Sequence, residues 1–93
     1  MNKGPAQQEM EARLAAAFPG AVIVLTNDSA KHHGHSGDDG SGESHFSLHI
    51  VWAGFAGMNR VARQRSVNKA LGDMPGERVH ALAIKAQTAN EAL

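Results

Sequence analysis

Apolar residues recur at Met10, Leu14, Ala17 and Phe18, in steps of three and four behind Pro5, and the run stops at Pro19-Gly20. That spacing lays one apolar stripe along a helix with proline near its first turn. Ala21 to Thr26 (AVIVLT) is short, β-branched and apolar on both alternating faces, which predicts a central or covered strand. From Asn27 to Glu43 the periodicity disappears and Gly, Ser, Asp and His dominate. Positions 28–43 therefore read as a flexible His/Gly-rich loop. Alternation resumes at Ser44, with Phe46, Leu48, Ile50 and Trp52 on one face and His45, Ser47 and His49 on the other. After a Gly54-Phe55-Ala56-Gly57 turn the helical phase is inconsistent. At ~100° per residue, Met58, Val61 and Ala62 fall opposite Val67, Ala70, Leu71 and Met74, which predicts a short turn and then a reoriented helix from Ala62 to Gly72. Val79 to Ala86 reads as a third strand with His80, Leu82, Ile84 and Ala86 on one face. Thr88 with Glu91 three residues later is a capping-box signature for a last helical turn.

The order is α-β-β-α-β-α. The first two strands are expected to be antiparallel and joined by the long loop, and the helix between the second and third is a crossover that permits those two to run parallel. The expected fold is an α+β domain with a three-stranded mixed sheet and its helices on one face. Ninety-three residues suit a single domain, 1–93.

Composition narrows the function classes. Nine Lys+Arg balance nine Asp+Glu, so no global field draws the chain to nucleic acid or to an anionic membrane, and such a partner must be met by a local patch. The absence of cysteine excludes disulfides, a thiolate nucleophile and an iron–sulfur cluster held by this chain alone. The first ten residues, MNKGPAQQEM, contain no apolar run of signal-peptide or membrane-span length, so the expectation is a soluble cytoplasmic protein without membrane association. No Ser-His-acid order, phosphate-binding GxxxxGK[ST] or HExxH is present, and the carboxylates fall in loops and turns, which argues against an enzyme.

Six histidines, three of them in Lys31-His32-His33-Gly34-His35, are the most unusual feature, since imidazole is both a pH-responsive group and a metal ligand. On a polar loop they read either as solvated side chains or as ligands awaiting a rigid partner group. His80 begins a strand, where it reads as a hydrogen-bonded residue at the core margin or as a placed ligand. His45 and His49, on the polar strand face, read as structural or solvated. A second signal is basic. Arg60, Arg63, Arg65 and Lys69 follow one another with no acidic residue between Asn59 and Gly72, which is either a solvated helix face or a nucleic-acid-binding patch. The Gly54-to-Gly57 spacing matches the GxxG of a KH nucleic-acid clamp, a weak match in a glycine-rich chain.

Taken together, Asn27-Asp28-Ser29-Ala30-Lys31-His32, Gly42-Glu43-Ser44-His45-Phe46, Arg63-Gln64-Arg65-Ser66-Val67-Asn68 and Val79-His80-Ala81-Leu82-Ala83 closely resemble the BolA family, in order and along nearly the whole chain. The resemblance implies a KH-like (class II) fold, no enzymatic activity, and association with a monothiol glutaredoxin around a shared 2Fe–2S cluster used in iron–sulfur assembly, trafficking or iron regulation. It carries the C-terminal cluster ligand onto His80 and the loop ligand onto His32, with His33 and His35 as alternatives; thiolates and glutathione come from the partner. The family is also linked to transcription regulation, with the basic helix Arg60–Lys69 facing DNA. Gln64 stands where the family often has a histidine. The free chain is expected to be a monomer or a weak homodimer.

Overall fold

The computed structural model describes residues 3–29 and 42–93. Helix α1 spans Pro5–Ala17, strand β1 Val22–Asn27, strand β2 His45–Val51, helix α2 Arg60–Leu71 and strand β3 Ala81–Gln87. A 3-10 turn at Ala53–Phe55 and a Pro-Gly turn over Met74–Glu77 flank α2. The sheet order is β1-β2-β3, with β1 antiparallel and β3 parallel to β2, the arrangement expected for the two connections. The mixed three-stranded sheet and one-sided helices agree with the expected fold class.

The core forms where Met10, Leu14 and Phe18 of the α1 stripe and Val67 and Leu71 of α2 meet Phe46, Leu48 and Ile50 of β2. Phe55 is fully buried, with Phe18 and Trp52 against it at 5.5 and 5.2 Å between ring centres. Gly54 allows the Trp52 indole to lie against the backbone, since a Cβ there would overlap the ring and force it to move. The GxxG spacing thus serves packing and turning, with Gly57 at φ 80°.

Four expectations need correction. β1 is an edge strand, and Val22 and Val24 point to the bare face of the sheet, 62% and 53% exposed; β-branching favoured a strand without fixing its place in the sheet. No reorientation interrupts α2, since Met58 precedes the helix and Val61 is left 57% exposed. Ala17 is exposed at the end of α1. Thr88 to Ala92 form a hydrogen-bonded turn, with the Thr88 amide donating to Glu91 Oε1 at 2.8 Å, but no helix. Residues 30–41, and with them His32, His33 and His35, lie outside the described residues.

A long-range contact closes α1 onto the base of the 28–43 segment. Gly4 at the N-cap has no side chain to offer the first amides of the helix, and Glu43 supplies the missing acceptor. Its carboxylate oxygens accept from the amides of Ala6 (3.3 Å) and Gln7 (3.0 Å), a negative charge at the positive end of the helix dipole. A Cβ at Gly4 would overlap that carboxylate. Glu43→Ala is expected to destabilise the fold by about 1 kcal/mol in urea denaturation, with the Ala6 and Gln7 amides exchanging faster with solvent.

Candidate functional site

The two ends of the His/Gly-rich segment are bound to one end of the sheet by polar residues. Ser29 Oγ accepts from the amides of Ser44 (2.8 Å) and His45 (3.2 Å), while the Asn27 side chain donates to Gly42 O at 2.7 Å and accepts from the Ser29 amide at 2.9 Å. The Asp28 amide donates to His45 O at 2.8 Å, and the Ser47 hydroxyl donates to the Asp28 carboxylate. Asn-Asp-Ser and Ser-His are therefore the two halves of one clasp, which explains why both dipeptide neighbourhoods are so polar beside an apolar strand.

His80 emerges beside this clasp. It precedes β3 and is exposed, since the sheet ladder begins only at Ala81, whose amide donates to Ser44 O at 3.0 Å. Its ring lies 5.2 Å from that of His45, tilted by 48°. Parallel pairing produces this meeting, because His45 at the start of β2 is in register with Ala81 at the start of β3. His45 is held by a 2.9 Å hydrogen bond between its Nδ1 and Ser44 Oγ. Reading the alternation alone placed His45 merely on a polar face; the parallel crossover was the signal that brings it to His80. His49, two pleats along, donates from Nε2 to Gln87 Oε1 at 2.9 Å and is a structural residue. Among the described residues no three His, Asp or Glu groups converge to hold a metal ion. The chain has no cysteine, so the side chains at this rim with metal-ligand chemistry are the imidazoles of His45 and His80.

The basic residues of α2 divide into two sets. Arg65 and Lys69 lie one turn apart on the side facing away from buried Val67 and Leu71 and are exposed. Arg63 is turned inward. Its Nε donates to Met58 O at 2.9 Å, its Nη1 to Ala86 O at 3.1 Å, and its guanidinium pairs with Glu91 at 2.5 and 3.1 Å while lying 5.8 Å from the centre of the Phe55 ring. It joins α2, β3 and the C-terminal turn. Arg60 is exposed at the first turn of the helix.

The Arg63 guanidinium, with help from the Thr88 amide, lowers the Glu91 carboxyl to about 2, and Glu91 in turn raises Arg63.

A family model described as BolA-like protein matches residues 14–91. The chain belongs to the BolA-like family. It is 42% identical over 79 residues to an uncharacterized protein of the cobS 5′ region of Sinorhizobium sp, covering 84% of this chain and 85% of that one. It is 39% identical to BolA-like protein 1 of Mus musculus, across 91% of this chain but 59% of that longer protein. The DNA-binding transcriptional regulator BolA of Vibrio cholerae is 36% identical, with 91% and 76% covered. Among solved structures, the BolA domain of SufE1 from Arabidopsis thaliana superposes with a TM-score of 0.82 at 29% identity, covering 97% of this chain and 99% of that one. BolA1 from the same plant gives 0.79 at 31% identity, with 96% and 98% covered. Among the described residues of this BolA-like chain, no helix is long and apolar enough to cross a membrane.

The depressed Glu91 carboxyl sets an acid limit for the C-terminal turn. A carboxylate held below its unfolded value stabilises the fold fully above that value, near 4.5, and the contribution is lost as pH falls toward about 2. Amide protection at Thr88 and Ala92 is expected to decline across this window in NMR-detected hydrogen exchange. Glu91→Gln should lower that protection at neutral pH and flatten the decline.

Proposed function

We propose that this BolA-like chain is a non-enzymatic adaptor that binds a monothiol glutaredoxin and contributes histidine ligands to a shared 2Fe–2S cluster. The observation that supports this reading is His80, exposed at the rim between the two ends of the segment that contains His32, with its ring 5.2 Å from that of His45 and tilted by 48°. The cluster supplies electron storage and a transferable iron–sulfur unit; the chain supplies neutral imidazole from His80 and, from the loop, His32, with His33 and His35 as the alternatives. Thiolates from the partner's cysteine and from glutathione would complete a mixed ligand set of the kind known for such clusters. Metal-binding imidazole is the deprotonated form, so acid competes with the metal for it.

Co-expression with a monothiol glutaredoxin is expected to yield a coloured complex. His80→Ala should abolish or grossly alter its visible absorption and circular dichroism, while His32→Ala should change the spectrum and lability and leave more of the protein–protein contact intact. His80 is placed by the strand that begins at the next residue, Ala81, and a ligand so positioned is preorganised. Unchanged spectra for His80→Ala would remove the cluster reading. A larger effect from His33→Ala or His35→Ala than from His32→Ala would reassign the loop ligand.

The second reading is a DNA-binding regulator that uses α2. It is favoured by the exposed Arg65 and Lys69 on one side of the helix and by the name of the Vibrio cholerae relative. Arg65→Ala with Lys69→Ala should then weaken DNA retardation at low salt and flatten its dependence on ionic strength. Arg63→Ala would be a poor probe, because it unties α2 from β3 and the C-terminal turn. No retardation by the native chain at low salt ends this reading.

A further inference from the structure

The outer edge of β3 and the first turn of α2 enclose a cleft of about 630 Å³, bounded by Met58, Arg60 and Arg63 on the helix side and by Ile84, Lys85 and Ala86 on the strand side. Hydrogen bonds at the two ends of β3 fix which backbone groups face it. The Ala81 amide donates to Ser44 O, and Gln87 O accepts from the Trp52 amide. In a parallel ladder these groups alternate, so Ala81, Ala83, Lys85 and Gln87 bond inward to β2 while Leu82, Ile84 and Ala86 present N–H and C=O outward. β3 is the last strand in the sheet order. The Ala86 carbonyl is covered by Arg63 Nη1. Among the described residues, the N–H and C=O of Leu82 and Ile84 and the N–H of Ala86 remain as a row of donors and acceptors along the outer edge.

The walls have a sign. Glu91 is the acid lining the cleft and is already paired with Arg63, whereas the exposed Arg60 and Lys85 have no ion pair among the described residues. The remaining lining is aliphatic or amide in character, and no aromatic ring is present for a base to stack on.

We propose that this cleft docks an extended acidic peptide segment of a partner protein as an additional strand on β3, its backbone bonding Leu82 and Ile84 and its acidic side chains meeting Arg60 on the helix-covered side or Lys85 on the bare side of the sheet. A peptide backbone repeats its donors and acceptors every two residues, as the outward row of β3 does, and a strand added in this way gains affinity from main-chain bonds and specificity from side-chain contacts. This deepens the adaptor reading by giving the protein partner a foothold along β3, beyond the His45–His80 rim. It requires neither the cluster nor any histidine, so the two fail separately.

The test uses the full 15N-labelled chain without cluster, titrated with the blocked peptide Thr-Val-Glu-Val-Thr-Val. Comparison probes are the same peptide with Lys in place of Glu, two versions N-methylated on alternate backbone nitrogens in the two registers, and oligothymidylate. The Glu peptide is expected to shift the amide signals of Leu82 and Ile84 and to slow their hydrogen exchange by about tenfold at saturation. One of the two methylated registers should lose binding by about tenfold or more, and Arg60→Glu with Lys85→Glu should weaken the Glu peptide by a similar factor while strengthening the Lys peptide. The proposal is overturned if millimolar Glu peptide leaves Leu82 and Ile84 unmoved, or if the shifts map instead to Val24, Thr26 and His49. It is likewise overturned if methylation in either register has no effect, or if oligothymidylate moves the Leu82 and Ile84 amides and the peptide does not.

Discussion

The parallel pairing of β2 with β3 is the constraint from which the rest of this molecule follows. Two parallel strands cannot be joined by a tight turn, so the chain must leave the end of β2, cross one face and re-enter at the start of β3. The 3-10 turn, α2 and the Pro-Gly turn are that crossing. Because α1 packs on the same face, Phe46, Leu48 and Ile50 are buried while the opposite residues of the sheet stay half-exposed. The same pairing sets the starts of β2 and β3 side by side, and it is for this reason that His45 and His80, thirty-five positions apart in sequence, have neighbouring rings. Among the described residues it also leaves β3 as the last strand of the sheet.

Polar residues do most of the work of holding the open end of the sheet. The Asn27-Asp28-Ser29 and Ser44-His45 clasp satisfies backbone amides where the β1–β2 ladder gives out, and Ser44 is fully buried within it. Net contributions of such bonds are modest, about 0.5–1.5 kcal/mol each, but a buried amide left unpaired costs more than a bond gains. Glu43 extends the clasp to α1. The motifs that resemble the family most are thus explained as framework around the rim, with Arg63 playing the corresponding part at the other end of β3.

Much of this was legible in the sequence. The alternation in Phe46, Leu48 and Ile50 located β2, the Pro5 and Pro19-Gly20 boundaries located α1, and a crossover helix between two strands located the parallel pair. What escaped depended on neighbours distant in the chain. Strand propensity in AVIVLT reports a backbone conformation and not a position within the sheet, so an edge strand with exposed valines looked central. The phase conflict around Met58 and Val61 was real, but the fold resolves it by starting α2 at Arg60 and exposing Val61 rather than by bending. Local charge counting grouped Arg63 with Arg65 and Lys69, although Arg63 faces Phe55 and the Ala86 carbonyl; a pairing with Glu91, twenty-eight residues away, has no local signature. His80 shares the alternation of Leu82 and Ile84 yet stands outside the ladder, one residue before pairing begins.

Stability and candidate chemistry rest on different side chains here. The fully buried residues are nearly all apolar, with Phe55, Met10, Leu14 and Ile50 among the largest, and the histidines of the described rim are partly or wholly exposed. An exposed imidazole at the start of a strand can be removed without opening a cavity, so its loss leaves the large penalties of core truncation untouched. A buried ligand would instead be tied to the core and to its own desolvation. The imidazoles of His45 and His80 therefore stand on an outer rim, where they answer to solvent or to a partner group and not to the core. The charge balance bears on the same point: neutral overall, the chain has little general attraction for polyanions, so any charge-based recognition must come from local groups such as the exposed Arg65 and Lys69 of α2.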